Sequence, residues 1–353
     1  MYKVMKVHLA DPILLLAVVF LILLGLVVLR SVAPTIFPLY FLFILLGFLS
    51  FFVFLQIDFE ILQLFSKHLY ILSLFLLVLP LLIGQVTRGA IRWIPLGPIT
   101  IQPSEIVRPF LLLFFASYLI EKKLDAKRLL QAFALLALPF FLILIQPSLG
   151  VAVLTLVGFL GVLLASQIEK KYLSSAVIAF LILIPIFWAF LAPYQKSRIT
   201  SFLDPSSDPL GAGYNSIQAM ISVGSGKITG RGLGEGVQTQ LRFLPEKHTD
   251  FIFAAIAEEL GLVGAVFVIA GLFIVLYRLT KIIEHPKNPT GRAYVTGFFL
   301  VLMAETFIHI GMNVGLLPIT GIPLPLVSAG GSSLLATMTG LAIAVNVKET
   351  SPT

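Results

Sequence analysis

Apolar runs of about twenty residues recur along this chain, and that is the length a helix needs to cross a bilayer. Short polar segments separate them. The pattern predicts about ten spans, at 12–29, 35–57, 69–86, 104–120, 129–145, 149–166, 172–191, 250–277, 293–316 and 328–347. The longest stretch without a span is 192–249. Loops of that length are functional or disordered. Its Tyr214–Ile221 segment has the amphipathic pattern of a helix lying on a membrane surface, so an ordered cap is the favoured reading. The predicted fold is an all-α polytopic membrane protein, a single domain over 1–353, with a large loop between the seventh and eighth helices.

Composition agrees. The 353 residues are 58% hydrophobic and 12% charged, roughly half the charged share of a soluble domain. There is no Cys, which excludes disulfides, thiol chemistry and Cys-ligated metal. The first apolar run has no small-residue cleavage site after it, so it is expected to stay as a span. The net charge of +7 marks topology rather than nucleic-acid binding, because the cations sit in short loops. Lys122, Lys123, Lys127, Arg128, Lys170, Lys171, Arg278, Lys281, Lys287, Arg292 and Lys348 fall on one side, with Lys3, Lys6 and Lys67. The positive-inside rule makes that side cytoplasmic and puts both termini there. The 192–249 segment is then outside.

Several polar residues stand where an apolar one would be cheaper. Phe243–Phe253 packs Glu246, Lys247, His248 and Asp250 at the mouth of the eighth span. Such density is costly unless it functions, and a snorkelling interfacial anchor is the plain alternative. Gln102-Pro103-Ser104-Glu105 opens the fourth span, and Arg108 lies at i+3 from Glu105, within pairing reach on a helix. A self-neutralising pair that only fixes packing is the rival there. Asp250 and Glu258 are eight apart, hence nearly on one helical face. Glu305 and His309 stand at i, i+4. A lone His of this kind is more often a helix contact than a metal ligand. Arg88, Arg92 and Trp93 follow the third span, either as headgroup anchors or, with Lys227, Arg231, Arg242 and Lys247, as cations for a phosphate-bearing substrate. The Gly321–Ser333 segment is rich in Pro and Gly, and irregular backbone at membrane depth marks a cavity wall.

Together these motifs resemble the SEDS family (shape, elongation, division, sporulation), to which RodA and FtsW belong. The matching pieces are Arg88-Gly89-Ala90 with Arg92-Trp93, Gln102–Glu105, Asp208–Tyr214, Leu244–Phe253, Ala257–Gly261 and Pro323–Ser333. Thr239-Gln240 and Gly321–Ser328 are similar to the RodA branch. The chain departs from the family at Ser148, usually Asp, and at Ala329, often aromatic; roles of those side chains do not carry over.

The resemblance implies a peptidoglycan glycosyltransferase that polymerises lipid II at the outer face of the bacterial cytoplasmic membrane during elongation. It implies Asp250 as the catalytic base. The implied substrate-binding set is Arg88, Arg92, Trp93, Glu105, Arg108, Lys247, His248, Ser332 and Ser333. A divalent cation (Mg or Mn) or the outer Arg and Lys residues would hold the pyrophosphate. The implied partners are lipid II with the nascent glycan, membrane lipid, and a class B penicillin-binding protein that cross-links strands. No Ser-x-x-Lys transpeptidase motif is seen in the outer segment. A lipid II flippase, a non-catalytic scaffold and an ion-coupled transporter are the rival readings. A flippase needs polar groups reachable from both leaflets, and the informative cluster here lies on one side.

Overall fold

The computed structural model describes residues 11–87, 90–97, 99–166, 168, 193–204 and 211–347. The expected seventh span, Arg88, Asp208–Leu210 and the basic residues Lys3, Lys6, Lys170, Lys171 and Lys348 lie outside them.

Among the described residues, seven helices are long and apolar enough to cross a membrane. They are α1 (Pro12–Val32), α2 (Phe37–Leu55), α4 (Ser66–Ile83), α5 with α6 (Pro103–Ile106, Arg108–Ile120), α7 (Ala126–Ile145), α12 (Ile252–Glu284) and α13 (Pro289–Asn313). Two shorter apolar helices, α8 (Leu149–Ala165) and α14 (Gly331–Asn346), match the expected sixth and tenth spans. The chain is a multi-pass membrane protein. Short helices fill the connections: α3 (Phe59–Leu64), α9 (Pro193–Leu203), α10 (Ala212–Ser225) and α11 (Val237–Gln240).

The described residues of segment 85–101 are not helical. They fold as an antiparallel sheet of β1 (Gln85–Thr87), β2 (Ala90–Leu96) and β3 (Ile99–Ile101), in the order β1-β2-β3. Ile94 pairs with Ile101 and Leu96 with Ile99. The β-prone run Ile91-Arg92-Trp93-Ile94 supplies the central strand. The sheet adds a β element to the all-helical expectation and fixes Arg92.

Lipid tails give no hydrophobic drive between helices, so close packing and polar contacts hold the bundle. The α8–α13 contact is built on small residues: a Cβ on Gly161 would stand 2.8 Å from the Cα of Gly297. Side-chain hydrogen bonds stitch α2 to α14. The Ser50 and Thr339 hydroxyls meet at 2.6 Å, and Asn346 Nδ2 donates to the carbonyls of Phe54 and Ile57 at 2.7 and 2.9 Å. Bonds of this kind contribute on the order of 1 kcal/mol each. At one end of the bundle Asp11 and Arg278 clasp α1 to α12. At the other, Ser31 donates to Glu259 at 2.8 Å.

The 33-residue α12 is broken near that second end. Gly261 has φ 69° and ψ −163°, a region essentially reserved for glycine. The 226–232 strap fills the break. Leu262 and Val263 N–H donate to the carbonyls of Lys227 and Ile228, while Arg231 and Gly232 N–H donate to those of Glu258 and Glu259. Tyr214–Ile221 is indeed helical, within α10. Its Ala219 packs with Leu244, Phe251 and Ala254.

Candidate active site

Asp250 sits just before α12, whose N-cap is Phe251. It therefore lies outside the helical register that would align it with Glu258, and the expected shared face does not form. Asp250 instead lines a cavity of about 140 Å³ with Arg92, Gln102, Glu105, Ser148, Gln195, Arg198 and Gly321 among its walls. They come from five separate parts of the chain: β2, the start of α5, the α7–α8 turn, α9 and the 318–321 loop. A Cβ placed on Gly321 would lie 3.6 Å from Asp250 Oδ2 and 3.7 Å from Arg198 Nη1, so the carboxylate and the guanidinium converge on the bare glycine backbone.

Glu105 and Arg108 make no direct ion pair, although the Arg108 guanidinium remains the chief favourable charge on the Glu105 carboxylate. Pro109 has no N–H for the Glu105 carbonyl, and the helix is interrupted at Val107. Arg108 Nη1 bonds Glu305 Oε1 at 2.6 Å, deep in the bundle. Glu105 faces the cavity. The direct bond of Arg108 is thus a long-range one, with Glu105 a second carboxylate within its field. His309, one turn beyond Glu305, pairs through Nδ1 with the Ile322 carbonyl at 2.8 Å, a helix-to-loop contact.

The remaining described candidates do not line the cavity. Trp93 lies beneath the Arg92 guanidinium, 5.7 Å from the ring centroid. Ser332 Oγ accepts from the Gln102 N–H at 2.8 Å and so supports the cavity wall; Ser333 is buried beside it. His248 Nε2 stands 3.9 Å from Glu246 Oε2. Lys247 donates to the Thr239 carbonyl. Burial lowers the Lys247 pKa from its ordinary value; the Glu259 carboxylate opposes that shift and Arg242 reinforces it. Glu258 accepts from the Gln238 and Thr239 N–H groups at 2.8 and 3.0 Å, capping α11.

Ser148, the departure from the family pattern, accepts from Gln102 Nε2 at 3.1 Å on the cavity wall. Of the Gly321–Ser333 segment only Gly321 reaches the cavity.

Three contributors escaped sequence reasoning. Gln195 and Arg198 line the cavity, yet they stand in an ordinary polar segment after a span. Asn313 donates to the Asp250 carbonyl at 3.1 Å and accepts from the Ala254 N–H at 3.0 Å. A buried Asn inside an apolar run was the available signal.

The arrangement offers two carboxylates and two guanidiniums around one small polar space at a helix start. It suits proton removal from a hydroxyl beside a group of negative charge. Among the described residues no three His, Cys, Asp or Glu side chains are grouped so as to hold a metal ion by themselves. Asp250 and Glu105 alone are enough carboxylates for Mg²⁺, which typically takes one or two from protein and the rest from phosphate and water.

Comparison with known proteins identifies the family. The family model for FtsW, RodA and SpoVE, described as "Cell cycle protein", matches residues 6–352. The peptidoglycan glycosyltransferase MrdB of Escherichia coli K12 is 39% identical over 307 residues, covering 86% of this chain and 83% of that protein. A probable peptidoglycan glycosyltransferase FtsW of Nitrosococcus halophilus is 36% identical over 318 residues, covering 87% and 81%. Among solved structures, a chain of a peptidoglycan synthase complex that coordinates polymerization and crosslinking is 32% identical. It superposes with a TM-score of 0.82 over 96% of this chain and 98% of that one. The rod shape determining protein RodA of Thermus thermophilus is 28% identical, with a TM-score of 0.72 over 96% and 97%. With residues 6–352 matched by the family model and relatives more than 30% identical over most of its length, the chain belongs to the FtsW/RodA/SpoVE family.

Proposed function

We propose that this chain polymerises lipid II into glycan strands, with Asp250 as the base. The observation that carries the reading is the convergence of Asp250 and Arg198 on Gly321, in one cavity with Arg92 and Glu105. The 4-hydroxyl of one disaccharide attacks the anomeric carbon of the next. Its proton passes to the Asp250 carboxylate as the new C–O bond forms. The bond to the polyprenyl pyrophosphate breaks with its electron pair, and the anomeric carbon inverts. A pyrophosphate leaves readily once its charge is met, so a second carboxylic acid is not required as it is for an alkoxide leaving group. Arg92 and Arg198 supply that charge. A divalent cation held between Asp250 or Glu105 and the phosphates would add to it.

The cation pattern supports a cytoplasmic side for Lys122, Arg128, Arg278 and Arg292, with the Asp250 end of the bundle outside the cytoplasmic membrane. Lipid II is polymerised there, and a class B penicillin-binding protein cross-links the product. The relatives named as glycosyltransferases and the solved synthase complex support this assignment.

The test is purified protein with lipid II, resolved for glycan polymer with and without chelator. Wild type makes polymer. Asp250→Asn, which cannot take the proton, loses about 10²–10⁴ in rate. Polymer at the wild-type rate from that variant removes Asp250 as base. Chelation that leaves the rate unchanged removes the cation.

A further inference from the structure

Asp250 belongs to no regular element, yet its backbone is held at every step. The three consecutive carbonyls of His248, Thr249 and Asp250 accept from the Ala329 N–H at 2.9 Å, the Ser328 hydroxyl at 2.8 Å and Asn313 Nδ2 at 3.1 Å. Two of those donors are side chains from separate elements. Ser328 lies in the 321–330 loop, and Asn313 ends α13.

We infer that Asn313 and Ser328 are positioning residues that set where the Asp250 carboxylate points; this rests on the reading of Asp250 as the base.

Each side chain is matched to the task. Asn313 is fully buried and uses both halves of its amide. Nδ2 donates to Asp250 O and, at 2.7 Å, to His309 O, while Oδ1 accepts from Ala254 N–H in the first turn of α12. Only an amide donates twice and accepts at once with this reach. It thereby ties the residue before α12 and the start of α12 to one rigid point. Ser328 does the same from the opposite flank. Its hydroxyl donates to Thr249 O and accepts from Leu324 N–H at 2.8 Å, and its own carbonyl receives the Tyr40 hydroxyl at 2.8 Å. A general base works only within a narrow range of position, and a shift of about 1 Å can cost about 10²-fold in rate. Fixing three peptide planes in succession leaves the Asp250 side chain little freedom beyond its own rotamers.

The experiment compares full-length Ser328→Ala, Asn313→Ala, Ser328→Thr and Asp250→Asn on lipid II. Ser73→Ala serves as control, a buried hydroxyl that bonds within its own helix at 2.7 Å. Ser328→Ala and Asn313→Ala are expected to lower kcat by about 10²-fold with KM unchanged. Amide exchange in 248–251 should rise while the rest of the bundle stays protected. Ser328→Thr keeps the hydroxyl and restores kcat. Adding Ser328→Ala to Asp250→Asn costs nothing further, because the group being positioned is already gone. If Asn313→Ala does not accumulate, the single-oxygen deletion Ser328→Ala decides the question. Wild-type kcat in Ser328→Ala overturns the inference. So does a loss shared by Ser328→Thr and accompanied by a general drop in thermal stability, which marks a purely structural role. Failure of the parent reading is seen separately, as polymer from Asp250→Asn.

Discussion

Arg108 spends its charge on Glu305, Nη1 to Oε1 at 2.6 Å, although Glu105 is three residues away in sequence. The two partners are 5% and 1% exposed. The neighbouring Glu105 carboxylate lines the cavity while still within the field of Arg108, and one helix start serves two purposes. Arg108 locks α6 to α13, and Glu105 faces the chemistry.

Breaking that pair is expected to destabilise the protein. Glu305→Gln or Arg108→Leu leaves a buried charge uncompensated, at about 3–5 kcal/mol. Replacing both, as Arg108→Met with Glu305→Leu, is expected to recover most of the loss. Glu105→Gln should behave in the opposite way, with a near-normal thermal midpoint and reduced polymerisation. Thermal unfolding in detergent, scored beside the polymer assay, separates the two. Equal destabilisation by Glu105→Gln would contradict the division of roles.

The strap that fills the break in α12 depends on Gly261. Its backbone conformation costs a side-chain-bearing residue on the order of 1–3 kcal/mol, and a Cβ there would also collide with Ile228 O and Gly230 N. Gly261→Ala is expected to lower stability by at least that conformational term. Gly224→Ala, with open space around its Cβ position, should be tolerated. Matching melting curves for the two variants would refute the account.

Glu258 holds α11 by two main-chain N–H groups. Glu258→Ala leaves both donors unmet, and each buried orphan costs about 1–3 kcal/mol. The expected readout is faster amide exchange at 236–241 with the rest of the bundle unchanged. Exchange that stays at the wild-type rate there would show that the carboxylate is not needed.

Lys247 links stability to alkaline pH. Burial holds its folded pKa below the 10.5 of the unfolded chain. Between those two values the unfolded state binds more protons, so this residue's contribution to stability rises with pH. Below the folded value the cost of the buried charge is present in full. The thermal midpoint of wild type relative to Lys247→Met is therefore expected to climb as pH rises towards 10.5. A difference that stays flat, or falls, would sink the assignment. The effect is modest, because the side chain is only partly buried and solvent screens it.

Much of this was legible in the sequence where cost per residue is high. Runs such as 12–29 have few alternatives to crossing a bilayer. Asp250 and Glu105 stand out because each interrupts an apolar pattern within a dense motif. What stayed hidden depends on distance along the chain. Nothing in the order of residues says that Arg108 will meet Glu305, or that Asn313 will reach Asp250. Arg198 looks like any surface cation until α9 folds over the cavity. Pro80 and Pro139 sit inside helices that hydropathy reads straight through, whereas Gly261 breaks α12 and hydropathy reads through it as well. The sheet at 85–101 was missed because its strands are short and two of its three members span only three residues each.

The four main-chain bonds between 226–232 and the outer turns of α12 carry a consequence for traffic. A glycine-rich stretch of this length is the natural candidate for a swinging door. Here it is bolted to the frame: opening it would break the backbone pairing of the very helix that Asp250 precedes. The strap contributes no residue to the Asp250 cavity, so any mobility that admits a ligand there has to come from segments that do line it, Pro147–Val151, Gln195–Ile199 and Pro318–Gly321 among them.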